Sequence, residues 1–272
     1  MIVLTELVAQ AKVEGYEGAN AEGKVCQDII LRAIAESGLK ENVTIKGGVV
    51  MRSVTKDVRR ATVDIDLDFI KYSLDDESIR RFVKELNCLE GLRIEIVGDI
   101  EELSQQEYRG KRVYVQLADE EGNSVKSKID IGVHVNMDIE QEEYCFDVCL
   151  DNEGASLLIN SKEQIFTEKL RSLLRFGSFS TRYKDVFDMY YLSGVVDKDK
   201  LSVLIKSYIL DEEEMRETSM GEVCSRVENT FGSRRYRDSI TKAKKNNWLG
   251  VGVKEAMSEL LGYLKELDET NL

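Results

Sequence analysis

The chain has 272 residues, 42% hydrophobic and 33% charged, a composition that builds a core and excludes a disordered chain. Asp plus Glu number 51 against 38 Lys plus Arg, a formal net charge of −13, which excludes a general nucleic-acid coat; an RNA or a nucleotide would need a local basic patch or a bound metal. No apolar run approaches the roughly 20 residues of a membrane-crossing helix, and the N-terminal MIVLTELVAQAK has neither a basic leader nor a small-residue cleavage site, so a cytoplasmic protein with no membrane partner is expected.

In chain order, residues 2–12 suit a short amphipathic helix, followed by a glycine-containing stretch from Gly15 to Gly23 and a helix over 24–37 stopped by Gly38. VTIKGG at 43–48 reads as a short strand running into a double glycine, and 49–56 is helix-competent. Residues 62–70, TVDIDLDFI, alternate strictly, with Val63, Ile65, Leu67 and Phe69 on one face and Asp64, Asp66 and Asp68 on the other. Residues 76–88 place Ile79, Phe82, Val83 and Leu86 on one helical face. Strands follow at 92–100, 111–118, 127–135 and around 144–150, with a turn at Gly122-Asn123. From Ser161 the pattern turns helical: Ser161-x-x-Gln164 is a capping box, Phe166, Leu170, Leu173 and Leu174 share a face, and so do Tyr183, Val186, Phe187 and Tyr190. Three or four more helices are expected over 198–272, giving an α+β chain with a mixed α/β half at 1–155 and an α-helical half at 156–272.

Five cysteines (Cys26, Cys88, Cys145, Cys149 and Cys224) without a C-x-x-C pair, and the lone His134, exclude a zinc finger. Cys145 and Cys149, an even distance apart in an expected strand, read as buried free thiols. The strongest chemical signal is Gly47-Gly48 followed, after a helix-length gap, by Asp64-Ile-Asp66. Carboxylates two residues apart in a strand lie on one face about 7 Å apart, a spacing that lets them share divalent cations. Asp130, alternating against Ile129 and Ile131, is the candidate third carboxylate on another strand. Three like charges on one face repel, and hard Mg²⁺, which takes carboxylate and phosphate oxygens, gives a reason to keep them. The double glycine lets backbone approach a triphosphate and leaves N–H groups free at the following helix.

Lys46-Gly47-Gly48, Arg52 and Arg60-x-Thr62-x-Asp64-Ile-Asp66-Leu, preceded by Glu22-Gly-Lys24, form one block; Glu168-Lys169-Leu170 and Arg182-Tyr-Lys184-Asp185-Val-Phe-Asp188 form two more. In this order they resemble the nucleotidyltransferase-like AbiEii/AbiGii toxins, of the polymerase-beta-type nucleotidyltransferase superfamily, over roughly residues 15–195. The resemblance implies a polymerase-beta-type nucleotidyltransferase domain with a mixed sheet at 1–155, and an α-helical domain at 156–272 that completes the active site. It implies transfer of an NMP from an NTP to an acceptor, with Mg²⁺ or Mn²⁺ on Asp64, Asp66 and Asp130. It places Gly47, Gly48, Arg52 and Lys169 at the nucleotide and Asp185 as a base or positioning group. It also implies the toxin of a toxin–antitoxin or phage-defence system, with a cognate antitoxin as partner and RNA such as a tRNA 3′ end as acceptor, a protein hydroxyl being the other option. Val49 and Thr55 depart from the family pattern, which usually has a hydroxyl and an aromatic there. Asp66/Asp68 remains an alternative metal pair to Asp64/Asp66. The competing readings are a nucleotide-binding module without catalysis and a transferase acting on a small molecule such as an antibiotic.

The run 169–184 holds five basic residues and no acid, and Arg234, Arg235, Arg237, Lys242, Lys244 and Lys245 form a second cluster flanked by Tyr236 and Trp248; both suit an anionic acceptor through phosphate contacts and stacking. The Lys184–Asp188 spacing suits a helix salt bridge, which makes Asp188 more structural than Asp185. His134, on the strand face of Asp130, reads as a satisfied, partly buried imidazole.

Overall fold

The computed structural model describes residues 2–103, 110–134, 139, 141–150 and 153–271, which divide into two compact units, Met1–Asn160 and Ser161–Leu272. The first unit carries helices α1 (Leu4–Val13), α2 (Ala19–Glu36), α3 (Gly47–Thr55) and α4 (Asp76–Glu85). Its strands are β1 (Val43–Lys46), β2 (Ile65–Phe69), β3 (Leu92–Ile96), β4 (Glu101–Leu103), β5 (Gly110–Asp119), β6 (Ser124–Val133), β7 (Glu142–Phe146) and β8 (Ala155–Ile159). They form a mixed sheet in the order β3-β5-β6-β2-β1-β8-β7, with β4 also on β5. The pairs β2/β6 and β1/β8 are parallel; the others are antiparallel.

The period-two pattern explains the sheet's two faces. Ile45, Leu67, Ile131 and Ile159 stand in one row of neighbouring strands and are buried. α2 packs against β6 and β8 and buries Val25, Ile29, Ile30, Ala33 and Ile34, each large aliphatic side chain contributing about 1.5–3 kcal/mol. α4 caps the β3 side, where Phe82 meets Phe69 edge-on at 5.1 Å. Asp75 caps α4 by accepting the Ser78 N–H at 2.7 Å, and that bond together with the Ser73 hydroxyl pulls its carboxyl down to about 2.

Several expectations need correction. α2 starts earlier than the glycine stretch suggested and includes Gly23, where a Cβ would come within 3.0 Å of the Val63 Cα. β2 begins at Ile65, so Val63 is not on the buried face but 36% exposed. β3 ends at Ile96, and the rest of the expected 92–100 strand gives way to a bend before β4, which the pattern did not suggest. β8 was also missed, and it carries the first unit past 155. Val135, the last residue of the expected 127–135 strand, lies outside the described residues. The five cysteines are free; Cys145 is exposed and Cys149, beyond the end of β7, is half-buried, so Cys26 and Cys224 are the fully buried thiols. Burial pushes the Cys26 and Cys149 thiols up to about 12.

The second unit is helical: α5 (Lys162–Phe176), α6 (Tyr183–Ser193), α7 (Lys198–Ile205) running into a π-helical turn at Lys206–Leu210, α8 (Met220–Gly232), α9 (Arg234–Lys242) and α10 (Val253–Asn271). Ser161 caps α5, accepting the Gln164 N–H at 3.1 Å. Phe166, Leu170, Leu173 and Leu174 are buried, as are Val186 and Phe187; α10 packs Ala256, Leu260 and Leu264 among α6 and α8. Among the described residues no helix is long and apolar enough to cross a membrane.

Candidate active site

On the polar face of the first unit's sheet, four charged residues stand in register on consecutive strands: Arg112 on β5, Asp130 on β6, Asp66 on β2 and Lys46 on β1. Side chains directly opposite on neighbouring strands have Cβ atoms about 4.5–5.5 Å apart, so Asp66 and Asp130 are an unfavourable like-charge pair. Arg112 offsets half of it with a two-pronged contact to Asp130, Nε to Oδ1 at 2.7 Å and Nη2 to Oδ2 at 2.8 Å. Lys46, directly opposite Asp66, reaches diagonally to Asp68, its Nζ 2.5 Å from Asp68 Oδ1. Lys128 Nζ is 3.0 Å from Asp64 Oδ2, and Asp64 is the most open of the three β2-side acids, its side chain 39% exposed.

Asp66 is thus the centre of the group. Burial pushes its carboxyl above the usual carboxylate range; Lys46 pulls it back, the Asp130 and Asp64 charges add to the rise, and the Gly48 N–H lowers it. The paired glycines explain themselves here. Gly47 takes φ +63°, and a Cβ on it would lie 2.6 Å from Asp66 Oδ2; one on Gly48 would lie 2.7 Å from the Thr62 hydroxyl oxygen. The N-terminus of α3 therefore rests on Asp66, and at least one of its N–H groups serves that carboxylate. Val49 is fully buried, so the departure from a hydroxyl there serves packing.

The structure thus brings Asp64, Asp66 and Asp130 to one face beside Gly47 and Gly48, and engages Asp68 with Lys46. It places Arg52 elsewhere, buried against Asp28 with Nη2 to Oδ1 at 3.2 Å. His134 lies just past β6, buried, with Nε2 3.4 Å from the Gln141 amide. Arg112 and Lys128 were missed. Both lie in strands of alternating pattern, but their partners depend on cross-strand register. Among the described residues, no group of three His, Cys, Asp or Glu side chains is gathered closely enough to hold a metal ion as it stands.

In the second unit, Lys169 on α5 lies between two α6 carboxylates, 2.6 Å from Asp185 Oδ1 and 2.9 Å from Asp188 Oδ2. Asp188 is fully buried and also accepts the Trp248 indole N–H at 2.9 Å. Tyr236 is fully buried nearby, its ring 5.6 Å from Tyr183, and burial, with the Asp185 charge, raises its hydroxyl. Tyr236 and Trp248 are therefore not stacking surfaces for an acceptor. Phe179, 68% exposed, is a more open ring beside the basic residues, with the Arg235 guanidinium 4.6 Å above it.

Residues 29–246 match the model of a protein family described as "Nucleotidyl transferase AbiEii toxin, Type IV TA system". No curated protein matches the chain.

Proposed function

The chain belongs to the AbiEii nucleotidyl transferase toxin family of type IV toxin–antitoxin systems, and from that premise we propose a metal-dependent transfer of an NMP from an NTP to an RNA end, such as a tRNA 3′ end. The observation that carries this reading is Asp66 and Asp130 in register on one sheet face, with Asp64 just before β2, beside the Gly47-Gly48 start of α3. The donor set fits Mg²⁺ or Mn²⁺: every candidate ligand is a carboxylate oxygen, and the crowding around Asp66 favours a cation. Asp64 and Asp66 would hold the ion, and Asp130 would contribute once Arg112 turns toward the nucleotide's phosphates.

A divalent ion in this place supplies charge to the triphosphate and makes the acceptor hydroxyl more acidic. The chain's own residues do the rest. The Gly48 N–H fixes the orientation of Asp66, and the bare backbone at Gly47 keeps the space above it open. Lys46 and Arg112, one at each end of the row, add positive charge where phosphate oxygens would lie. The acceptor oxygen bonds to the α-phosphorus as the bond to pyrophosphate breaks. Phe179 under Arg235, amid basic residues, supports an RNA acceptor, because bases stack on exposed rings while arginines hold phosphates. The antitoxin of such a system is the expected genetic partner.

The test is incubation with Mg²⁺, each α-labelled NTP and cellular RNA. Wild type labels RNA; Asp66→Asn, with its fold intact, loses at least about 100-fold, beyond what is lost when a residue that only supports a metal ligand is changed. Asp66→Asn with wild-type transfer would refute the assignment. The same assay reads Lys169→Gln and Asp185→Asn. NTP-induced stabilisation without transfer would instead mark a binding module.

A further inference from the structure

Arg52 does not face the acidic row; it lines a cavity of about 500 Å³ among α1, α2, α3 and the segment after β7, together with Tyr16, Lys24, Lys56, Tyr144 and Cys149. The floor of this cavity has an unbalanced charge. Asp28, fully buried, accepts from Arg52 Nη2 at 3.2 Å, from Lys24 Nζ and from the Cys149 N–H at 2.9 Å. Two enclosed cations thus share one carboxylate. Arg52 is only 4% exposed, and its Nε and Nη1 have no hydrogen-bond partner. A guanidinium carries five N–H donors, and leaving buried ones unmatched is costly, so Arg52 keeps its full charge beside the cavity at a cost. The acids at the opening do not correct the imbalance: Asp147 is almost fully exposed, 3.8 Å from Lys56, and Glu14 is exposed and accepts from Gln10.

We propose that this cavity binds the phosphate group of a small molecule, with Arg52 and Lys24 as its binding residues. A phosphate supplies the missing negative charge beside Arg52, and its oxygens accept from the Lys24 ammonium, whose side chain is 12% exposed. The volume falls within the range of small-molecule sites, and the Tyr144 ring and Val148 provide apolar wall for the remainder of a ligand. None of the lining residues belongs to the Asp64–Asp66–Asp130 face, so the site is separate from the proposed transfer chemistry.

The experiment is thermal unfolding of the full chain in EDTA, titrated with inorganic phosphate or ribose 5-phosphate, against NaCl at matched ionic strength. Wild type should show a saturable rise of about 2–4 °C. A lower half-saturation for ribose 5-phosphate identifies a phosphate ester as the ligand, and equal values identify free phosphate. Lys24→Met and Arg52→Met each leave one cation for Asp28, so both should melt at or above wild type in phosphate-free buffer and lose the saturable rise. If Arg52→Met does not fold, Lys24→Met decides. Asp66→Asn should keep the full response. A wild-type response no larger than that to NaCl, a response retained by Lys24→Met, or one abolished by Asp66→Asn would each overturn the proposal. The last result would place the phosphate on the acidic face, and none of them bears on whether transfer occurs.

Discussion

The acidic row on the sheet and the lysine cluster among the helices use the same ingredients to opposite ends. On the sheet, register sets Asp66 directly beside Asp130, with Asp64 and Asp68 along its own strand side, and the nearby cations engage the outer acids: Arg112 on Asp130, Lys46 on Asp68, Lys128 on Asp64. In the helical unit, Lys169 is enclosed between Asp185 and Asp188, with Trp248 filling the remaining acceptor. In the second arrangement each of the two acids has a donor against it. The first stays frustrated at its centre. A protein keeps such a like-charge contact where a ligand cation relieves it, so lack of complementarity is the more informative sign of a working site.

The contrast is broken most directly at Lys169. Lys169→Met takes the Lys169 cation away from the enclosed Asp188 and from Asp185, and removing one partner of a buried pair costs about 3–5 kcal/mol. Urea denaturation should show that loss with an unchanged m-value. A loss below about 1 kcal/mol would show the cluster to be as loosely balanced as the sheet face. Gly48→Ala comes next: its methyl would sit 2.7 Å from the Thr62 hydroxyl oxygen and 2.9 Å from the Thr62 Cβ, an overpacking worth about 1–3 kcal/mol. The double variant Gly48→Ala/Thr62→Ser should recover part of it, because Thr62 Cγ2 is one of the crowded atoms. Ser161→Ala should cost about 1 kcal/mol through the lost α5 cap, and so calibrates an ordinary local contact.

Much of this architecture was legible because period-two alternation is unambiguous where one face is wet. TVDIDLDFI announced both a strand and an acidic face, SKIDIGVHV announced its neighbour β6, and KRVYVQLA the strand beyond that. β8 was not legible: Ala155–Ile159 is a short apolar run without alternation, which does not distinguish a strand from a helix segment. Arg112 escaped because a basic residue on a strand's wet face looks like any other until the β5–β6 register pairs it with Asp130. Tyr236 was misread although the signal existed. Tyr236 and Ile240, four apart, are the buried stripe of an otherwise charged α9, and the surrounding arginines drew attention away from that spacing. Arg52 was assigned from its motif position, but its side chain points from α3 to Asp28 on α2, a contact no local pattern encodes.

The smallest expected change in stability separates the two regions most sharply. Asp66→Asn removes a charge that lies beside Asp130 and Asp64 and is enclosed with incomplete neutralisation, while the amide oxygen can still accept the Gly48 N–H. In metal-free buffer its stability should be equal to wild type or higher, by up to about 1 kcal/mol, the scale of a cross-strand pair. Adding Mg²⁺ should raise the melting temperature of wild type and leave Asp66→Asn unmoved, since linkage stabilises only the form that binds. A variant destabilised as much as Lys169→Met in metal-free buffer would mean that Asp66 is held by satisfied contacts. The sheet face would then be a satisfied charge network, and the argument for a cation there would fail.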